Sequence, residues 1–347
     1  MNKVAIVTLI SKNYGNRLQN FALQEVLSKL GNQVKTIPAY PYHVIRHNIK
    51  YFLREALNAL TGKYPDIVWD TFDKKIKWGK AVMSDKKIAD KYDFFVAGSD
   101  QIWNPTFPVT SSRELLAFAP PEKRVAYSAS IGLEKFPDQY SQQYIAEWKK
   151  FKKISVREIQ ASKIIYEMTQ IHAPVVLDPT LLLTKNDWMQ YIKNRTGTEK
   201  YYVRYFLGKR SDFAENYIAK RAKEDNIPCI DITNEDGSLK PGMGPLEFLT
   251  ILYYSEGVFT DSFHGTVFSI IFEKPFIVFQ RPYEEGYGDM NSRINSLVDL
   301  LHLRDHFVTC QSDSDKIKMN FDRIKVKQIL DKERTESIHF LRDAFSK

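Results

Sequence analysis

Cysteine is almost absent. Cys229 and Cys310 are the only two in 347 residues. Two thiols so far apart supply neither a disulfide framework nor a paired metal-ligand spacing, and they suit a reducing compartment. No apolar run is long enough to span a bilayer. The glycine signatures GxGxxG and GxxxxGK[ST] do not occur, which removes the dinucleotide fingerprint and the P-loop. The N-terminal "MNKVAIVTLISKNYG" has one lysine, a short apolar run and no small-residue cleavage site, so it reads as a first strand and not a signal peptide. The expected place is the cytoplasm. Internal repeats and low-complexity segments are also missing.

What is present is a soluble globular composition, 43% hydrophobic and 27% charged. The length suits two domains of ordinary size. Fifty basic residues against 42 acidic ones leave a net charge of +8. That balance favours anionic partners such as phosphates, carboxylates or an anionic membrane face. Nucleic acid is disfavoured, because the positive charge is diluted and no standard module appears.

Strand and helix patterns alternate along the chain. Val4–Ile10 reads as a buried strand, Arg17–Leu30 as a helix ended by Gly31, and "QVKTI" as the next strand, which is a βαβ unit. Further strands are expected at Asp93–Ala97, Arg124–Ser128, Lys153–Val156 and Val175–Leu177, with helices at Tyr140–Lys150 and Glu158–Met168. Asp178-Pro-Thr180 breaks the pattern. A second set follows, with strands at Tyr201–Leu207, Pro228–Ile232, Gly257–Thr260 and Phe276–Gln280. Its helices are expected at Asp212–Asp225, Pro245–Tyr254, Gly265–Phe272 and Asn291–Leu300. The expected division is 1–178 for a first Rossmann-like domain (acceptor side), 179–311 for a second (donor side), and 312–347 for a charged helical segment. The fold class is therefore α/β, two parallel-sheet domains facing across a cleft, with ligands held by loops that follow strands.

Those loops carry the candidate residues. Gly15 and Asn16 open the first helix, where backbone N–H groups and Arg17 suit an anion or a sugar hydroxyl; Asn16 alternatively caps the helix. "VAGSDQIWNP" sets Ser99, Asp100, Gln101 and Asn104 beside Trp103, a mixture suited to sugar hydroxyls and a stacked sugar face, or to a turn with an anchoring tryptophan. Arg157 ends a strand, where it can clamp a phosphate or carboxylate with two parallel hydrogen bonds or form a surface pair with Glu158. In "TDSFHG", His264 stands at a helix start that favours anions, and Gly265 permits close approach of a ligand. "RPYEEGYGDMNSRI" reads as a lid, with Arg281 and Arg293 as candidate anion ligands. "HVIRHNIKYFLREALNALTGK" reads as a basic amphipathic helix, packed on its own domain or resting on an anionic membrane surface.

Taken in order, "YGNRLQNFALQ", "VAGSDQIWNP", "SVRE", "VLDPTLLL" and "TDSFHGTVFSIIFEKPFIVF" resemble the polysaccharide pyruvyl transferase family. The resemblance runs from the first strand to the Asn291–Leu300 helix. It implies a GT-B-like pair of domains. It implies phosphoenolpyruvate as co-substrate with no further cofactor and no metal. The acceptor would be a sugar of a surface polysaccharide or its lipid-linked precursor, made at the inner membrane face. The family's donor-handling histidine and arginine match His264 and Arg157. Many members carry an arginine two residues before the histidine. Here that position is Ser262, and Arg293 and Arg281 are the candidates to replace it. Asn16, Ser99, Asp100, Gln101 and Trp103 are the acceptor-side candidates. A nucleotide-sugar glycosyltransferase of the same architecture and a non-catalytic carbohydrate-binding protein are the competing expectations.

Overall fold

The computed structural model describes residues 1–37, 67–79, 86–107, 112–282, 291–309 and 316–346. Among the described residues, ten strands form two parallel sheets of five. The first contains β1 (Lys3–Val7), β2 (Gln33–Thr36), β3 (Phe94–Ala97), β4 (Arg124–Ala129) and β5 (Lys153–Val156), in the order β2-β1-β3-β4-β5. The second contains β6 (Tyr202–Tyr205), β7 (Cys229–Asp231), β8 (Gly257–Thr260), β9 (Phe276–Phe279) and β10 (Phe307–Val308). Its order, β7-β6-β8-β9-β10, repeats the pattern of the first. Strands such as "FFVA" and "FIVF" are apolar on both faces because helices cover both sides of each sheet.

Most expected elements form within a few residues of their predicted bounds. The helices Asp212–Asp225 and Pro245–Tyr254 coincide with prediction. Two expectations change. Val175–Leu177 is not a strand; Val175 makes a single bridge to Val156 before Asp178 and Pro179 turn the chain. β10 was not foreseen, since two residues carry no period. The basic stretch at 43–63 lies outside the described residues, as do 283–290 of the expected lid and Cys310.

The last helix, Arg323–Ala344, returns to the first sheet. Ser337 Oγ accepts from Leu177 N at 3.1 Å, and Phe345 packs edge-on against Phe94 of β3. The largest apolar cluster joins both halves, with Tyr14, Phe21, Trp188, Phe248 and Phe268 in contact. No helix among the described residues is long and apolar enough to cross a membrane.

In each sheet the strand order reverses once, between β1 and β3 and between β6 and β8. Loops leaving such a switch point diverge and open a crevice at the carboxyl ends. Here the loops from the two crevices meet.

Candidate active site between the two sheets

After β8 the chain turns through Asp261 and Ser262 into the helix Phe263–Ile271. Ser262 is its N-cap, accepting from Gly265 N at 3.4 Å. This places His264 on the first helical turn, with its side chain only 7% exposed. Its ring lies over Gly15, at the start of the first helix (Tyr14–Lys29). A Cβ on Gly15 would overlap Nδ1 and Cγ of the imidazole. The two motifs thus interlock, and only glycine leaves the volume the ring occupies.

Arg157 leaves β5 into the same space. It is buried, not on the surface, so the expected surface pair with Glu158 does not form. Glu158 instead accepts from Ser130 Oγ, Ile131 N and Gly132 N. The partner of Arg157 is Asp178, from the segment linking the sheets, at 2.9 Å, with side-chain exposures of 1% and 0%. Phe263 lies against the guanidinium, 4.4 Å from Cζ to the ring centroid. Nε and Nη2 of Arg157 are buried and make no hydrogen bond, and the same holds for Nε2 of His264, which is 3.8 Å from Asp178 Oδ1. Buried donors are rarely left unpaired without a functional reason. Burial pushes the Asp178 carboxyl up, but His264, Arg157 and Thr180 outweigh it and hold it well below the usual carboxylate range. Burial alone would lower the Arg157 guanidinium; Asp178, Asp100 and Glu158 raise it instead.

Asp100 faces this group from the loop after β3, in a left-handed backbone conformation (φ +72°). It accepts from Asn16 Nδ2 at 3.2 Å and from its neighbour Gln101 N at 2.9 Å. Burial raises its carboxyl, and Arg157, His264 and Arg293 more than offset that. Asn16 is not the helix cap: Asn13 is, and Asn16 ties Ser11 N to Asp100. Ser99 is fully buried and donates to Asp178 at 2.8 Å. Gln101 turns away, accepting from Asn104 and lying over Gly132.

Of its two expected roles, Trp103 takes the anchoring one. It is fully buried against Trp148 and Phe151 and donates to Glu114 O at 3.2 Å. No sugar can stack on it as folded, so it anchors the turn. Gly265 departs from expectation. A side chain there would strike Thr260 Oγ1 and come within 3.0 Å of Tyr205 Cδ1, so its smallness serves helix–strand packing and not approach of a ligand. Arg281 is held by Asp261, whose carboxylate also accepts from Leu207 N and Gly208 N. Arg293 is buried beside Arg157 and Arg281; burial first, then those like charges, push it down to about 10, with Asp100 and Glu158 opposing.

The family model described as polysaccharide pyruvyl transferase matches residues 13–281, which contain both interlocked motifs. The chain belongs to the polysaccharide pyruvyl transferase family. No curated protein matches it in sequence. Solved structures show the fold. A UDP-GlcNAc 2-epimerase from Methanocaldococcus jannaschii aligns with a TM-score of 0.54 at 12% identity, covering 94% of this chain and 92% of its own. A protein described as a putative UDP-N-acetylglucosamine 2-epimerase from Listeria monocytogenes aligns at 0.52 and 13% identity, covering 95% of each chain. The S. aureus MnaA–UDP co-structure aligns at 0.51 and 13% identity, covering 97% and 90%. Such similarity establishes two Rossmann-like domains in a GT-B-like arrangement.

In this pyruvyl transferase family member, sequence reasoning missed three participants. Asp178 read only as a break in the pattern, yet it is the carboxylate on which Ser99, Thr180 and Arg157 converge. Asp261 was passed over beside its histidine, and Phe263 looked like ordinary core. The signal for the two acids was available: Asp261 follows a strand just before a helix, and Asp178 stands before a proline as the cap of a short helix. Among the described residues, no group of three or more His, Cys, Asp or Glu could hold a metal ion.

Proposed function

We propose that this chain transfers a pyruvyl group from phosphoenolpyruvate to two hydroxyls of one sugar, forming a cyclic ketal. The observation that carries the reading is the Nε–Nη2 edge of Arg157. These two atoms are the pair that takes a carboxylate or phosphate in parallel hydrogen bonds, and both are buried and make no hydrogen bond. His264 and the N-terminus of the Phe263–Ile271 helix add further donors nearby. A substrate carrying both a phosphate and a carboxylate meets that set.

The chemistry balances as follows. A proton is delivered to the methylene carbon of phosphoenolpyruvate while one sugar hydroxyl adds to C2 and gives up its proton. The second hydroxyl then displaces phosphate from C2 and loses its proton, which leaves with the phosphate, yielding the ketal and inorganic hydrogen phosphate. His264 acts as the acid/base group or as a phosphate ligand. Arg157 holds the anion, Arg281 and Arg293 supply further positive charge, and Asn16 and Asp100 face the acceptor. The acceptor belongs to surface polysaccharide synthesis, either free or lipid-linked, at the cytoplasmic face of a membrane.

A thermal-shift comparison tests this. Ligand at 100 times its Kd adds about 2.7 kcal/mol of stability, enough to detect. Phosphoenolpyruvate should raise Tm, and less so in His264→Ala and Arg157→Ala. A shift with UDP or UDP-sugars alone, ligands named for the epimerase structures, would replace the reading with a nucleotide-sugar enzyme.

A further inference from the structure

Asp178 sits in the segment between the sheets and meets residues of both: Arg157 and Ser99 follow strands of the first sheet, and His264, 3.8 Å away, follows β8 of the second. Its Oδ2 accepts from Arg157 Nη1 at 2.9 Å and from Ser99 Oγ at 2.8 Å. Its Oδ1 accepts from Thr180 N and Oγ1, at 3.0 and 2.6 Å. A second acid competes for the same guanidinium. Asp100 Oδ1 is 3.7 Å from Nη2, too far for a hydrogen bond and close enough that a small rotation would make one. Phe263 lies against the guanidinium, 4.4 Å from Cζ to the ring centroid, and the two carboxylates reach it at different nitrogens, Nη1 and Nη2.

Buried ion pairs contribute little net stability compared with well-packed apolar replacements, so stability alone does not account for this one. Accordingly, we infer that Asp178 is the positioning residue of the donor site: by holding Nη1 it keeps Arg157 off Asp100, and the Nε–Nη2 edge stays open for the anion. Without the Asp178 charge, Arg157 turns to Asp100 and the edge closes. The inference rests on the proposed function for the identity of the anion, not for the competition itself.

The test is calorimetric titration of the full chain with phosphoenolpyruvate and, separately, with inorganic phosphate. The proteins are wild type, Asp178→Asn, Asp100→Asn and the double variant. Asp178→Asn should weaken phosphoenolpyruvate binding about tenfold or more, the scale of one charge-assisted hydrogen bond. Asp100→Asn should then restore most of that loss, and its gain should be larger in the Asp178→Asn background than in wild type. A merely structural Asp178 gives no such rescue. A double variant as weak as Asp178→Asn, equal gains in the two backgrounds, or wild-type affinity in Asp178→Asn each overturns the inference. Should Asp178→Asn not fold, Thr180→Val keeps the charge and removes only one of the hydrogen bonds that the carboxylate accepts. It should bind within about threefold of wild type, and a tenfold loss would overturn the charge argument. Wild type that binds phosphate but not phosphoenolpyruvate sinks pyruvyl transfer, while the same variants titrated with phosphate still decide the role of Asp178. Wild type that binds neither ends both.

Discussion

Gly15 and His264 start the helices that follow switch-point strands of different sheets, and they compete for one volume: a Cβ on the glycine would come within 1.9 Å of the imidazole Nδ1. Gly15→Ala should therefore displace His264, although alanine is otherwise the better helix residue by about 0.5–1 kcal/mol. We expect Tm to fall in the wild-type background and to hold or rise in His264→Ala, where the obstruction is gone. Equal losses in both backgrounds would show that the two residues are not coupled.

Removing the imidazole should abolish most of the chemistry. His264→Ala is expected to lower turnover by about 10²–10⁴-fold, the usual range for a lost acid/base group. Phosphate release from phosphoenolpyruvate with a panel of glycoside acceptors is the measurement. Full activity would exclude His264 from both roles proposed for it.

Gly265→Ala should act on stability and not on a ligand contact, because the new methyl group meets Thr260 and Tyr205. A cost of about 1–3 kcal/mol is expected for an overpacked helix–strand contact, read from denaturant midpoints.

Trp103→Phe separates anchoring from sugar binding. The indole is buried and its N–H is used by Glu114 O, so the variant should lose about 1–3 kcal/mol of stability. The acceptor KM should not change. A large KM increase in a protein of normal stability would reopen the stacking role.

Acid sensitivity follows from Asp178. Its folded carboxyl is held well below the ordinary value, so the stability it contributes is complete above the unfolded pKa of about 3.9 and is lost as pH falls below it. Urea midpoints taken at pH 7, 5 and 3.5 should drop between the last two in wild type. Asp178→Asn should begin lower, since it leaves Arg157 buried without its anion, and should show a shallower drop.

Much of this molecule is set by local pattern. Runs such as "FFVA", "GVFT" and "FIVF" can only be strands covered on both faces, and their alternation with helix-period segments gives two parallel sheets and a crevice at their carboxyl ends. The loops carrying Asn16, Asp100, Arg157 and His264 could be named from that alone, because position after a strand is a property of the sequence. Which atoms in those loops meet was not legible there. Trp103 turned inward because Trp148 and Phe151 offer it an apolar cluster. Arg157 paired with Asp178, 21 residues on, and not with Glu158 beside it, because adjacent residues at a strand end point to opposite sides. Gly15 owes its importance to a ring 249 positions away. Sequence periodicity decides elements and their order. Only the packing of one sheet's loops against the other's decides which charges are paired, which are left open, and where a glycine is indispensable.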